Sequence, residues 1–151
     1  MADIDKQAVV ATLNRILEME LAGVVRYTHY SLLVFGYNRI PIVAWLRAQA
    51  DEALAHAQRA GEMVTHLGAH PSLAIGPLLE THHHDIGAIL QESLASEAEA
   101  LAMYKTLLAQ AEGKSVMLEE YARDMISAEE THAGEVDKML RRPGDIAAYR
   151  G

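Results

Sequence analysis

The feature that most constrains the fold is a set of four long stretches with helical periodicity, joined by a short, a long and a short connection. The stretches run from about Asp5 to Phe35, from about Pro41 to Leu67, from Thr81 or His82 to Ala111, and from Ser115 to Leu140. The middle connection is rich in proline and glycine but still apolar, which indicates an ordered crossover. Two antiparallel hairpins joined by a crossover have this connectivity in four-helix bundles. The sequence therefore predicts a single all-α domain over residues 1–151, a four-helix bundle.

Composition narrows the class of protein further. The formal net charge of −8 argues against a nucleic-acid backbone as partner and suits a protein that attracts cations. The absence of cysteine excludes disulfides, thiolate metal sites and cysteine nucleophiles. No stretch approaches the ~20 apolar residues of a membrane span, and the first residues do not resemble a signal peptide. We expect a cytoplasmic protein that binds neither nucleic acid nor membrane.

The fourth helical stretch places a carboxylate and an imidazole on its apolar face. Glu129 and His132 are three residues apart, so their side chains lie side by side on a helix. An ionised glutamate on a buried face destabilises the fold strongly unless its charge is balanced, and a metal ion would balance it. For this helix alone, the alternative is a slightly rotated helix with both residues at its solvent-exposed edge.

The other three helices repeat the pattern. The first and the third each carry one glutamate in an apolar stripe and a tyrosine seven residues later on the same face. These pairs are Glu20 with Tyr27 and Glu97 with Tyr104. The second helix supplies Glu52 and His56. Each hairpin therefore contributes one glutamate from its first helix and a Glu/His pair from its second.

Together these side chains predict a dinuclear metal centre in the middle of the bundle. Its ligands would be Glu20, Glu52, His56, Glu97, Glu129 and His132. Four carboxylates and two imidazoles suit two iron ions, with manganese or zinc as alternatives, because such ions accept oxygen and nitrogen ligands. The hydroxyls of Tyr27 and Tyr104 are expected to support the centre by hydrogen-bonding to the carboxylates, with donation of an electron by one of them as the alternative.

The arrangement resembles the ferritin-like superfamily, and within it the bacterioferritins. The resemblance rests on the run from Glu20 to Tyr27, on Glu97, and on the Glu-x-x-His motif that ends at His132, and it extends to about Leu140. It implies a ferritin-like bundle that oxidises Fe²⁺ with O2 or H2O2, in iron storage or detoxification. Three alternatives remain open: a metal-binding or buffering bundle with little turnover, a rubrerythrin-like peroxidase, and a metal-free interaction module.

Three positions depart from the bacterioferritin pattern. The family has a glutamate three residues before the histidine of the second helix, where this chain has Ala53, while Glu52 lies four residues before His56. Leu54 stands where the family has its haem-binding methionine, so haem is not expected. Only residues 141–151 remain for the fifth helix that helps close the family's spherical shell. We therefore expect a homo-oligomer, at least a dimer, without assuming a closed shell.

A run of three histidines, His82 to His84, is the remaining candidate site. Consecutive helical residues diverge by about 100°, so the three side chains cannot share one ion. We expect them to form the polar start of the third helix beside Asp85, with an auxiliary cation site as the alternative.

Overall fold

The computed structural model describes residues 3–149, which form four α-helices. These are α1 (Lys6–Leu33), α2 (Arg39–His66), α3 (Ile86–Ala111) and α4 (Val116–Leu140). Helix α1 packs along α2 and α3, and α3 packs along α4. The predicted all-α four-helix bundle is confirmed. Within residues 3–149, no helix combines enough length with enough apolar character to cross a membrane.

The start of α3 differs from the prediction. The sequence pattern places it at Thr81 or His82, but α3 begins at Ile86 and the three histidines lie in the connection before it. Asp85 caps the helix by accepting a hydrogen bond from the backbone N–H of Ala88 at 2.9 Å. His82 has a φ of +50°, a left-handed conformation that a right-handed helix excludes. The prediction that the histidines form the first turn of the helix is therefore wrong.

The long crossover between α2 and α3 is fastened to the outside of α1. The backbone N–H of Gly76 donates to the carbonyl oxygen of Glu18 at 2.8 Å, and that of Ser72 donates to Asn14 Oδ1 at 2.8 Å. A Cβ at Gly76 would lie only 3.3 Å from the Cα of Met19, so glycine permits this close approach. The crossover is thus an ordered segment, as its composition predicts.

The hydrophobic core consists of two clusters separated by a polar region. The first cluster contains Val9, Leu13, Ile16 and Leu17 of α1 packed against residues such as Val64, Leu107 and Leu118. The second contains Tyr27, Tyr30 and Val34 of α1 packed against Val43, Leu46 and Ile89. Burial of each large apolar side chain stabilises the fold by roughly 1.5–3 kcal/mol. Because apolar clusters on both sides hold the four helices together, the region between them is able to contain buried charges.

Candidate metal centre

A small cavity lies between the two apolar clusters, and residues of all four helices line it. Its volume is about 20 Å³, which is enough for one small occupant such as a water molecule or an ion. The lining includes all six predicted ligands: Glu20, Glu52, His56, Glu97, Glu129 and His132. Tyr27 and Gln49 line it as well. The helices thus bring the side chains singled out from the sequence to one place.

Three of these side chains form the tightest group. Glu20, His56 and Glu129 each offer a ligand atom within 4.8 Å of the others. His56 Nδ1 lies 3.3 Å from Glu20 Oε2 and 3.8 Å from Glu129 Oε1. Both carboxylates are buried. We call this group the first half of the centre; two carboxylates and one imidazole are a ligand set that suits a divalent cation such as Fe²⁺, Mn²⁺ or Zn²⁺.

The second half of the centre comprises Glu97 and His132, which the hydroxyl of Tyr27 links together. This hydroxyl donates to Glu97 Oε1 at 2.7 Å and lies 3.1 Å from His132 Nε2. It also lies 2.7 Å from the hydroxyl of Ser93, which is fully buried. The ring of Trp45 stacks on that of His132, with centroids 5.9 Å apart and planes inclined by 7°. These contacts fix the positions of both side chains in the second half.

The two tyrosines form reciprocal hydrogen bonds between α1 and α3, each to the glutamate of the other helix. Tyr27 of α1 donates to Glu97 of α3, and Tyr104 of α3 donates to Glu20 of α1 at the longer distance of 3.4 Å. Burial, followed by the charge of the neighbouring glutamate, raises the pKa of both phenols well above the usual value. Both hydroxyls therefore stay protonated and act as hydrogen-bond donors over the physiological pH range.

Glu129 has the environment of a carboxylate that needs a cation. Burial, and then its interaction with Glu97, raises the pKa of Glu129 far above the usual range for a glutamate. Within residues 3–149, the buried Oε2 of Glu129 has no hydrogen-bond partner. A buried oxygen without a partner is costly, and a cation bound beside it would remove that cost. The side chains of the first half therefore fit a divalent metal ion.

Glu97 already has a cation beside it. Arg26 Nη2 donates to Glu97 Oε1 at 3.1 Å, and the guanidinium lies 4.9 Å from the centre of the Tyr27 ring. Burial alone would raise the pKa of Glu97, but Glu129, the charge of Arg26 and the hydroxyl of Tyr27 together hold it below the usual value. Arg26 thus supplies positive charge to the second half of the centre.

Glu52 lies at the rim of the cavity. Its side chain is 50% exposed, and its Oε1 is 3.7 Å from His56 Nε2. Helix α2 is continuous here, and the residue that faces inward is Ala53, which is 6% exposed. Successive helical residues point about 100° apart, so the four-residue spacing places the carboxylate at the edge where a three-residue spacing would place it inside.

Two residues of the centre escaped the sequence reasoning. Ser93 lies four residues before Glu97 in the same stripe, so a search for small polar residues one turn from each glutamate would have found it. Arg26 directly precedes Tyr27 but lies off the stripe of α1, and only its long side chain brings its charge to Glu97.

Comparison with known proteins identifies the family of this fold. Residues 10–143 match the sequence profile of the ferritin family, described as the ferritin-like domain. A ferritin-like, diiron-carboxylate protein from Bacillus anthracis str. Ames has a similar fold, with a TM-score of 0.85, 24% identity and coverage of 93% of this chain and 100% of that one. The dodecameric thioferritin of Bacteroides fragilis, a bacterioferritin-related protein, has a TM-score of 0.81 at 21% identity, with coverage of 91% of this chain and 87% of that one.

A third similar structure is the bacterioferritin of Rhodobacter capsulatus, described with a metal-free dinuclear site and a haem iron. Its TM-score is 0.76 at 20% identity, with coverage of 92% of this chain and 86% of that one. The search of curated proteins gives no significant match. The family match over most of the chain confirms the resemblance found in the sequence: the chain belongs to the ferritin-like domain family.

Proposed function

We propose that this protein is a ferroxidase of the di-iron carboxylate type, which takes Fe²⁺ as its substrate and oxidises it with O2 or H2O2. The observation that carries the proposal is the first half of the centre, where ligand atoms of Glu20, His56 and Glu129 lie within 4.8 Å of one another and the buried Oε2 of Glu129 has no hydrogen-bond partner among residues 3–149. The similarity to a diiron-carboxylate protein and to a bacterioferritin supports the choice of iron. Iron storage or detoxification is the proposed role.

The side chains would bind iron by exchanging protons for metal. In the metal-free protein the raised pKa of Glu129 means that this carboxyl carries a proton. Binding of Fe²⁺ at Glu20, His56 and Glu129 displaces that proton to solvent, because only the ionised carboxylate is a good ligand. Glu97 and His132 would hold the second Fe²⁺. Glu52 is half exposed beside His56 and is proposed as a ligand at the rim.

The chemistry requires two electrons and an acceptor. Oxidation of two Fe²⁺ to two Fe³⁺ releases two electrons, which together with two protons convert O2 to H2O2 or H2O2 to two water molecules. Carboxylate ligands favour the Fe³⁺ product, because hard oxygen donors suit the higher oxidation state of iron. Tyr27 and Tyr104 hold the carboxylates in place with their hydroxyls.

We also propose that the protein works in the cytoplasm as a homo-oligomer, at least a dimer. Large apolar side chains are exposed on α1, on the connection to α2, on α2 and on the crossover, among them Leu32, Phe35, Ile40 and Leu73. An exposed apolar surface of this kind is typical of a subunit contact. The Bacteroides fragilis relative is described as dodecameric, which supports self-association.

The proposal is tested by adding Fe²⁺ without oxygen, then admitting O2 or H2O2 and following the near-ultraviolet absorbance of Fe³⁺ together with oxygen consumption. Glu97→Ala and Glu129→Ala should each slow oxidation at least about tenfold, because each removes a ligand. Glu130→Ala, at the exposed neighbouring position on α4, is the matched control and should oxidise iron like the wild type. Equal rates in all four proteins would refute the proposal, and stoichiometric binding without oxygen consumption would indicate a metal buffer.

A further inference from the structure

We propose that the positive charge of Arg26, held beside Glu97, makes the two halves of the centre bind metal ions with unequal affinity. The first divalent ion binds at Glu20, His56 and Glu129, and the second half accepts an ion only when the guanidinium leaves Glu97. The inference rests on the proposed metal binding and adds to it an order of filling and the residue that sets this order.

Arg26 is largely buried and makes defined contacts with Glu97 and Tyr27. Its side chain is 12% exposed, its Nη2 is 3.1 Å from Glu97 Oε1, and its guanidinium lies over the ring of Tyr27. Glu97 Oε1, which accepts from Arg26, also accepts a hydrogen bond from the hydroxyl of Tyr27. An ion that binds Glu97 through this oxygen must therefore compete with two donors, one of them charged.

The first half has no such competitor. Within residues 3–149, neither Glu20 nor Glu129 pairs with a lysine or an arginine, and their only basic contact is His56, which is itself a candidate ligand. A cation that approaches the first half has to displace only the proton of Glu129, which passes to solvent, and no guanidinium. It should bind there first.

The charges of the centre balance with one divalent ion. When Glu20, Glu97 and Glu129 are ionised around a metal, Arg26 cancels one of their three negative charges and a single divalent cation cancels the remaining two. A second divalent ion beside Arg26 would leave two excess positive charges, or one if Glu52 takes part. Uncompensated charge in a largely buried site is strongly unfavourable, so Arg26 opposes the second ion.

Arg26 has a place to go when it leaves Glu97. A second cavity of about 300 Å³ lies on the outer side of α1 between that helix and the crossover, and Arg26 forms part of its wall. His29, Glu80 and His82 line the same cavity, so that a guanidinium that swings outward meets a carboxylate there. The side chain therefore contacts Glu97 of the metal centre and also lines this cavity, and an outward rotation would exchange the carboxylate of Glu97 for that of Glu80.

The internal repeat supplies the matching substitution. Arg26 lies six residues after Glu20, and the residue six after Glu97 in α3 is Met103. Arg26→Met thus removes the charge, retains a long unbranched side chain and gives both repeats the same residue at this position. Arg59→Met is the control, since the guanidinium of Arg59 also lies 4.9 Å from a tyrosine ring, that of Tyr121, but pairs with the exposed Asp124.

The test is a titration with Co²⁺, a divalent ion that O2 does not readily oxidise in such sites, followed by calorimetry and by its visible absorbance. The wild type should bind one Co²⁺ per chain at least about tenfold more tightly than a second. Arg26→Met should tighten the second site by about tenfold or more and leave the first nearly unchanged. Arg59→Met should behave like the wild type. Circular dichroism establishes that each variant is folded, and Arg26→Gln replaces Arg26→Met if the latter does not fold.

The outcomes separate this inference from the proposed function. Two ions bound with indistinguishable affinity by the wild type, or an unchanged second site in the folded Arg26 variant, would overturn the inference and leave the proposed metal binding intact. A wild-type protein that binds no Co²⁺ more tightly than Glu129→Ala does would overturn both.

Discussion

The two hairpins that supply the metal centre share one repeated sequence pattern and yet differ in structure. Both hairpins supply a lone glutamate, a tyrosine seven residues later and a Glu/His pair. In the second hairpin the paired glutamate, Glu129, is buried, whereas in the first Glu52 is half exposed. Among residues 3–149, no lysine or arginine pairs with Glu20 as Arg26 pairs with Glu97. A shared pattern therefore fixes where side chains gather, while single residues decide how accessible and how strongly compensated each glutamate is.

The largest difference should appear in metal affinity, between the paired glutamates of the two hairpins, Glu129 and Glu52. Glu129→Gln keeps the side-chain volume but removes a buried anionic ligand, and should weaken binding of the first Co²⁺ by at least about 100-fold. Glu52→Gln changes a half-exposed residue at the rim and should weaken binding less than about tenfold. Calorimetric titration of both variants measures the ratio. An equal loss in the two would show that Glu52 turns inward when metal binds.

The stability of the metal-free protein should fall as the pH rises from about 5 to 8. The pKa of Glu129 is raised by burial and by Glu97. Burial would lower the pKa of His56, but its contact with the Glu20 carboxylate outweighs this effect and raises it. At a pH between the pKa values of the unfolded and the folded state, the native state binds a proton that the unfolded chain has released. Each such group therefore lowers the free energy of unfolding by up to ~1.4 kcal/mol for each unit by which the pH rises.

This pH dependence is measured by urea unfolding with a chelator present. Glu129→Gln cannot titrate and should show a shallower slope than the wild type from about pH 4.5 upward. Addition of Co²⁺ should reverse the trend, because the metal needs the deprotonated ligands. A free energy of unfolding that increases with pH in the chelated wild type would contradict the assignment of a proton to Glu129.

The smallest expected difference concerns the two tyrosines. Tyr27→Phe removes a hydroxyl with three partners within 3.1 Å, one of them a carboxylate, and should destabilise the metal-free protein by roughly 1.5–3 kcal/mol. Tyr104→Phe removes a hydroxyl whose hydrogen bond to Glu20 is longer, at 3.4 Å, and should destabilise the protein by less than about 1 kcal/mol. The urea midpoints of the two variants, compared at equal m-values, measure the loss in the free energy of unfolding. The reverse order would mean that the Tyr104 hydroxyl is the more important support.

Much of this centre could be predicted from the sequence because helical periodicity is a strong signal. Long apolar stripes locate the helices, and a glutamate inside such a stripe must point to the same interior as its neighbours. Glu20, Glu97 and Glu129 therefore follow from spacing alone, and the structure places all three at one cavity.

What the sequence did not reveal depends on tertiary geometry. The start of α3 shifts to Ile86 because His82 adopts a left-handed conformation, which no periodicity records. Arg26 lies off the stripe that defines the core face, and its reach to Glu97 depends on side-chain length and on how closely α1 and α3 pack. The position of Glu52 depends on whether α2 stays regular or contains a bulge, and it stays regular.

The stacking of Trp45 on His132 has a practical consequence. The sequence contains a single tryptophan, so all indole emission from this chain originates at the border of the second half of the centre. A paramagnetic ion such as Co²⁺ or Fe²⁺ held by His132 would quench that emission at short range. If the second half binds such an ion as proposed, the emission of Trp45 reports its occupancy, and a stopped-flow trace of the unlabelled chain would give the time at which that half fills.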